Sequence, residues 1–461
     1  MKIRQWGIGG LIAATLSACS LAPEYARPEG PIPTEYHYSQ ADITSSAPES
    51  WEQYFTDHDL RVLIDFALRN NRDLRITALR IEEARAQYGV QRADRLPTIN
   101  ATANYDRSKQ IFAQGTAFDV DLYRVGVGIS NFELDFFGRV KNLSRAALET
   151  YLATEEAQQT ARTSLITEVA VAYLNVRALL ERQTLAQETM ASREVSYART
   201  KRRLDAGIDT ALEFKTAELQ LETARAALAS INREHVQALN TLLLLLGDQR
   251  YEVLLKKDPL DPSSFASIPA GIPSELLERR PDIRAAEHRL KAANANIGAA
   301  RAAFFPSIAL TTNAGLVNEH FFKLFSGSSD KAWSFSPQLT LPIFDFGRNR
   351  ANLDLATVRK NIQVAEYEKT IQTAFSEVND VLGQKQQIDE QIAAQTKVTE
   401  AERERVRLAT RRFDKGVSNY LELLDAQRSL FDAEQTLVQL KQLALSNSIN
   451  LFKVLGGEWK V

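Results

Sequence analysis

Cysteine, methionine and histidine are nearly missing from this 461-residue chain, which has one, two and five of them. With Cys19 the only thiol, no internal disulfide can form, and an oxidising compartment would leave that thiol stranded. His37, His58, His235, His288 and His320 show no metal-ligand spacing, so neither a metal nor any cofactor is expected. The two methionines give no sign of a methionine-lined copper path. The net charge is −2. Arginine and lysine are spread among glutamate as on solvated helices, and no basic stripe with interleaved aromatics offers itself to nucleic acid. After the first 18 residues no window of 18 apolar residues occurs, and the densest run, Leu242 to Leu246, is too short to cross a bilayer as a helix. If the chain spans a bilayer, it does so with strands. Nucleophile elbow, glycine-rich phosphate loop and metal cluster are likewise missing, and no enzyme is expected.

What is present is an ordered protein, 44% hydrophobic and 25% charged, long enough for two or three domains. Lys2 and Arg4 precede a small-residue apolar run from Ile8 to Leu16, which is the build of a secretory signal peptide. The run ends Leu16-Ser17-Ala18-Cys19, which resembles a bacterial lipobox. That resemblance implies cleavage before Cys19 and its lipidation, and Ser20, where an aspartate would argue for inner-membrane retention, implies delivery to the outer membrane. A single acyl anchor gives limited membrane affinity.

The phrase RRLDAGIDTALEFKTAE at 202–218 returns as RRFDKGVSNYLELLDAQ at 411–427. At the same offset of 209 residues Asp73 meets Asp282, Gly89 meets Gly298, Pro97 meets Pro306, Gly138-Arg139 meets Gly347-Arg348, and Leu246-Gly247 meets Leu455-Gly456. The chain is two copies of one unit. One inserted residue rotates everything beyond it on a packed helix by roughly 100°, so an offset that never slips reads as long helices in fixed register. Val140 to Leu204 has neither proline nor glycine, and Asn349 to Phe413 has only Gly383. At ~1.5 Å per residue, each stretch would make a rod of about 100 Å.

Leu165, Val169, Ala172, Val176 and Leu179 step by four and three. Leu430, Ala433, Leu437, Leu440, Ala444, Asn447 and Leu451 form a heptad seam, and Phe214, Leu221, Leu228, His235 and Leu242 hold the matching places earlier, which makes His235 a seam residue rather than a ligand. Gly207 and Gly416 stand where a left-handed residue ends one helix and lets the chain fold back, with Arg202, Arg203, Arg411 and Arg412 in the last turns.

After Pro97 and Pro306 the pattern alternates, in TINATANYDRS and SIALTTNAGL, and second strands follow over 121–134 and 332–344. Tyr123, Val125, Val127 and Ile129 share one face, as do Trp333, Phe335, Leu339, Leu341 and Ile343. Lengths near ten residues suit an outer-membrane span, and Phe304, Phe305, Phe321, Phe322, Trp333 and Phe335 suit interfacial girdles. A small soluble sheet packing these faces inward is the alternative. Four strands cannot close a barrel, and open edges are not tolerated in hydrocarbon, so a spanning version must be an oligomer that shares one barrel.

RRPDIRAAEHRLKAANANIGAARAAFFPSIALTT (279–312), LPIFDFGRNRANLDLA (341–356), RRFDKGVSNYLELLDAQRSLFDAE (411–434) and the lipobox resemble the outer-membrane efflux proteins of the TolC class, lipidated branch, over nearly all of the mature chain. The resemblance implies a mainly α fold with a small β part. In a homotrimer, four strands per chain would make a twelve-stranded transmembrane barrel continuous with a periplasmic helical barrel. The chain divides accordingly into a signal peptide (1–18), a lipid-anchored segment (19–59), a first repeat (60–247), an equatorial linker (248–273), a second repeat (274–456) and a tail (457–461). The implied role is a passive outer-membrane duct serving a periplasmic adaptor of the membrane fusion type and an inner-membrane pump of the resistance-nodulation-division (RND) type.

Carried over by position, the periplasmic gate is Glu422 and Asp425, with Glu213 at the matching site of the first hairpin. In a threefold assembly each would form a ring of like charge that favours cations. Phe413 stands where some relatives have a gating tyrosine. The adaptor-docking tips are Ala206, Gly207, Ile208 and Asp209, and Lys415, Gly416, Val417 and Ser418. Type I protein secretion and metal-cation efflux are the rival channel roles; a periplasmic coiled-coil scaffold lipoprotein is the rival without a pore.

Overall fold

A computed structural model describes residues 20–33, 35–37, 50–111, 117–253, 258–261, 265–266, 279–327, 329–418 and 420–457. Cys19 and most of the 248–273 linker lie outside them. The described helices are α1 (Trp51–Tyr54), α2 (His58–Asn70), α3 (Arg72–Ala93), α4 (Arg139–Asp205), α5 (Ala211–Leu246), α6 (Pro281–Ala302), α7 (Arg348–Asp414) and α8 (Tyr420–Val454), and the strands are β1 (Ile99–Ile111), β2 (Ala117–Leu134), β3 (Ser307–Asn318) and β4 (Asp330–Thr340). The two rods expected from the missing glycine and proline are α4 and α7, each 67 residues long. Within α4 one 18-residue window is apolar enough on average to cross a membrane, though Thr, Glu, Asn and Arg interrupt it, and 61% of that window is buried. It is core rather than a span, since Ile166, Val169, Tyr173 and Val176 are fully buried.

The chain forms two compact units, each drawn from both repeats. One unit comprises Met1–Glu29, Arg80–Glu155 and Ala285–Glu368 and contains all four strands. They pair antiparallel in the order β1-β2-β3-β4. β2 bulges between Ile129 and Phe132, where Asn131 takes a φ of 56° and its N–H donates to Thr311 Oγ1 at 3.1 Å. β4 has no such irregularity and stops at Thr340 rather than 344. The reason is Pro342, which has no N–H for a ladder; Pro337 is tolerated because β4 is an edge strand within the chain.

In the same unit, residues 20–27 lie against α6. Ser20 Oγ donates to Asn142 at 2.9 Å, Asn294 donates to the Pro23 carbonyl at 2.8 Å, and Arg27 pairs with Glu287 at 2.7 Å. Gly298 is required here, since a Cβ would lie 2.7 Å from Ala22. Burial pushes the Glu287 carboxyl up, but hydrogen bonds from Lys291 and Arg27 outweigh it and hold the group below the usual carboxylate range.

The other unit comprises Gly30–Leu79, Glu156–Arg284 and Lys369–Val461. Its core joins Trp51, Tyr54, Phe55, Leu60 and Ile64 to Leu165–Leu179 of α4, Leu242 and Leu246 of α5, and Ile449 and Phe452 of α8. Tyr54 stacks on Phe452 at 5.0 Å and on Phe265 at 5.6 Å, and its hydroxyl donates to the Ser448 carbonyl at 2.7 Å. The expected seam of α8 is present at Ala433, Leu440, Asn447 and Leu451, while Leu430, Leu437 and Ala444 are half-buried and Val438, Leu445 and Ile449 share the core. His235 is a half-buried seam residue; burial pushes its imidazole down, and its Nε2 has no hydrogen-bond partner.

α5 ends at Gly247, with φ 75°, and a Cβ there would lie 2.4 Å from the Asn70 carbonyl oxygen. Gly247→Ala combines backbone strain with a steric overlap and is expected to destabilise this unit by at least ~1–3 kcal/mol. A lowered thermal midpoint checks it; an unchanged one would show that α2 and α5 can move apart freely.

Candidate functional site

Directly opposed residues of an antiparallel pair share a face, so the register sorts the sheet into two surfaces. Ile99, Ala101 and Ala103 of β1 pair with Ile129, Val127 and Val125 of β2. These in turn face Thr312, Ala314 and Leu316 of β3, beyond which lie Phe335, Trp333 and Lys331 of β4. This face is apolar and open to solvent in the single chain, with Ile99 73% and Trp333 79% exposed. Toward the β1–β2 turn it ends in Tyr105 stacked on Tyr123 at 4.7 Å with Phe321 beside them, and then in Arg107, Asp119 and Asp121. At the opposite end Phe137 stacks on Phe305 at 4.7 Å. Phe305 and Phe321 therefore sit at the sheet's two ends as expected, whereas Trp333 and Phe335 pair with the middle of β3.

The reverse face is polar. Asn100, Thr102, Asn104 and Asp106 alternate along β1, and Arg124 of β2 pairs with Asp106 at 2.5 Å. Asn313 donates to Thr102 at 3.3 Å. Across this face β2 and β3 approach so closely that only glycine fits. A Cβ on Gly128 would lie 2.2 Å from the Thr312 oxygen, and one on Gly315 would lie 2.2 Å from the Val125 oxygen. Glycines on one face and a bulge beside them are the devices that curl a sheet.

The second candidate region lies at the hairpin tips. Both long helices end in the same motif. Gly207, with φ 72°, donates to the Leu204 carbonyl, and Ile208 donates to that of Arg203; Gly416, with φ 70°, and Val417 repeat this with Phe413 and Arg412. Ala206, Gly207 and Ile208 are exposed and Asp209 is half-buried; Lys415, Gly416, Val417 and Ser418 follow suit, with Ile208 and Val417 both 65% exposed.

The tips differ in charge. In the first, Arg203 clasps Asp209 at 2.9 Å, and Glu213 closes a capping box with Thr210, whose N–H it accepts at 2.8 Å. In the second, Ser418 replaces the aspartate and Arg412 turns to Glu422 at 3.0 Å. Asp425 is held by Arg405 of α7 and by Arg428 at 2.9 Å, and hydrogen bonding to Arg405 draws its carboxyl below the usual range. Glu422 and Asp425 are thus brought together, each with arginine, while Glu213 serves its own helix.

The sequence places Arg203 and Arg412 in the last helical turns but gives no sign of Arg405, Arg428 or Arg193; the last is 4% exposed and donates to Gln427 at 2.7 Å, and burial pushes its guanidinium down. Arg193 and Gln427 join α4 to α8, as does the pair Arg199 and Asp414 between α4 and α7 at 3.1 Å. A small apolar cluster of Ala217, Ala409, Tyr420, Leu423 and Leu424, with Phe413 against it, closes this end.

The family model described as "Outer membrane efflux protein" matches residues 63–248 and again 272–457, reproducing the offset of the internal repeat. Outer membrane protein OprJ of Pseudomonas aeruginosa is 46% identical over 469 residues, covering 100% of this chain and 97% of that protein. Cation efflux system protein CusC of Escherichia coli O6:H1 is 41% identical over 455 residues, covering 97% and 98%. The open state of the Neisseria gonorrhoeae MtrE outer membrane channel superposes with a TM-score of 0.85 at 38% identity, over 96% of this chain and 99% of that one. The duplicated, mainly helical chain with its four-stranded sheet belongs to the outer membrane efflux protein family.

Proposed function

We propose that the chain is the outer-membrane duct of a tripartite efflux pump, open to drugs and other toxic compounds and driven by an inner-membrane RND-type transporter through a periplasmic adaptor. The observation that carries this reading is the sheet. It is apolar on one face and polar on the other, and within the chain β1 and β4 each pair on one side only. Unpaired edges are excluded from hydrocarbon, and four strands are too few to close. Three copies pooling twelve strands satisfy every edge, turn the apolar faces to lipid and leave the polar faces around water. Such a duct catalyses nothing. Its lipid would be carried by Cys19.

In this reading Glu422 and Asp425 narrow the inner end, Glu213 caps its helix beside them, and the exposed tips meet the adaptor. The name of CusC assigns that relative to cation efflux; here the two methionines favour drug-like cargo over copper.

The test is conductance. Purified protein inserted into planar bilayers is expected to pass ions in stable steps, and a deletion strain is expected to become drug-sensitive. A sample that inserts yet conducts nothing would overturn the duct. Reversing charge at the tips with Asp209→Lys and Lys415→Glu is expected to reduce drug resistance to the deletion level while trimers persist on native gels. Full resistance would place docking elsewhere.

A further inference from the structure

One joint occurs twice in the chain, and its two copies differ by a cation. In the second repeat Arg280 stands just before α6, 8% exposed, with three acceptors around its guanidinium. Asp282 takes Nε at 3.0 Å and Nη2 at 2.6 Å, Glu377 of α7 takes Nη1 at 2.8 Å, and the Val454 carbonyl at the end of α8 takes Nη1 at 3.0 Å. The offset of 209 carries these acceptors back to Asp73 of α3, Glu168 of α4 and the Leu245 carbonyl of α5. All three recur, but the residue that matches Arg280 is Asn71. Its shorter side chain reaches only the carbonyl, donating to Leu245 at 2.9 Å, while its Oδ1 caps α3 by accepting from the Leu74 N–H.

The first repeat therefore keeps the carboxylates that hold a guanidinium in the second and has no arginine to give them. Among the described residues neither Asp73 nor Glu168 enters an ion pair, and Lys453, which shares a neighbouring hollow with Glu168, does not pair with it. Both carboxylates line a cavity of about 270 Å³, with Thr77, Ser164, Leu74 and Leu165 also in its wall. Carboxylates fork onto a planar guanidinium with charge-assisted hydrogen bonds, and the leucines offer an apolar bed for an aliphatic stem. A calcium or magnesium ion would want about six or more oxygens in its shell, and no cluster of three or more metal-ligating side chains occurs among the described residues. We propose that this cavity binds a small guanidinium compound, with Asp73 and Glu168 in the places that Asp282 and Glu377 hold around Arg280. The site is independent of the duct reading.

Agmatine, a guanidinium on an aliphatic amine stem, tests it with the full chain in nonionic detergent. Saturation-transfer NMR is expected to show agmatine bound to the wild-type protein. Asp73→Asn with Glu168→Gln should lose that signal, because the amides keep the shape and remove the charge. Asn71→Arg should lose it as well, because the chain then supplies its own guanidinium, as it does at Arg280. If Asn71→Arg does not fold, the amide pair carries the test, since it leaves the Asn71 cap of α3 in place. A wild-type protein without signal, or a folded variant that keeps it, would overturn the site. So would displacement of agmatine by an equal concentration of magnesium, which would make the cavity a metal site.

Discussion

Replacing Glu422 and Asp425 together by alanine is expected to raise the conductance of the reconstituted channel severalfold and to weaken its preference for cations. The two carboxylates do more than place negative charge near an axis. They receive Arg412 and Arg405, which sit on α7, and so tie the two helices of the second hairpin together just past its turn. Removing them releases those ties in every copy and takes these carboxylates from Arg412 and Arg428 while leaving Arg405 with Glu402 alone, so the inner end becomes both looser and more positive. Arg405→Ala should act in the same direction but more weakly on conductance, because Asp425 keeps Arg428 at 2.9 Å. Single-channel recordings in asymmetric salt measure both quantities at once. Unchanged conductance and reversal potential in the double variant would remove these residues from the gate.

Gly128→Val is expected to abolish assembly altogether. The added Cβ would fall 2.2 Å from the Thr312 carbonyl oxygen and 2.9 Å from Asn313 Cα. Both are backbone atoms, so no change of rotamer relieves the overlap, and the cost exceeds the ~1–3 kcal/mol of ordinary overpacking. The only escape is to part β2 from β3, the one pairing that joins the β1–β2 hairpin to the β3–β4 hairpin. Heat-stable oligomers on gels and channel steps in bilayers should both vanish, whereas Ala101→Val on the apolar face should leave both intact. A conducting Gly128→Val protein would mean that the sheet does not crease at this point in the assembled state.

The helices were legible because their signals are local. Missing glycine and proline placed the rods within a residue of Arg139–Asp205 and Arg348–Asp414, and two glycines with basic flanks marked their ends. The strand pairs were legible from alternation, but the bulge at Asn131 was not, because an extra residue is defined only against the partner strand. For the same reason the rows that Trp333 and Phe335 occupy, opposite Ala314 and Thr312, are defined only by pairing with β3. At the tips, the family resemblance carried over by position singled out Glu422 and Asp425. Their arginines stand 10 and 20 residues away, on the opposite side of a turn, where no periodicity points. The clasp of residues 20–27 on α6 joins positions more than 250 residues apart and left no mark on the sequence beyond Gly298.

That clasp limits what an acyl chain on Cys19 could do. Ser20 is already fastened to Asn142, a few residues from the foot of β2. Were Cys19 acylated, the leash between lipid and folded protein would be a single residue long, and the fatty chain would meet the leaflet at one height and one azimuth around the proposed barrel. A long flexible leash would anchor the protein without caring how deep it floats. One this short behaves as a plumb mark, penalising any vertical drift or tilt of the strands that pulls the acyl group out of the hydrocarbon.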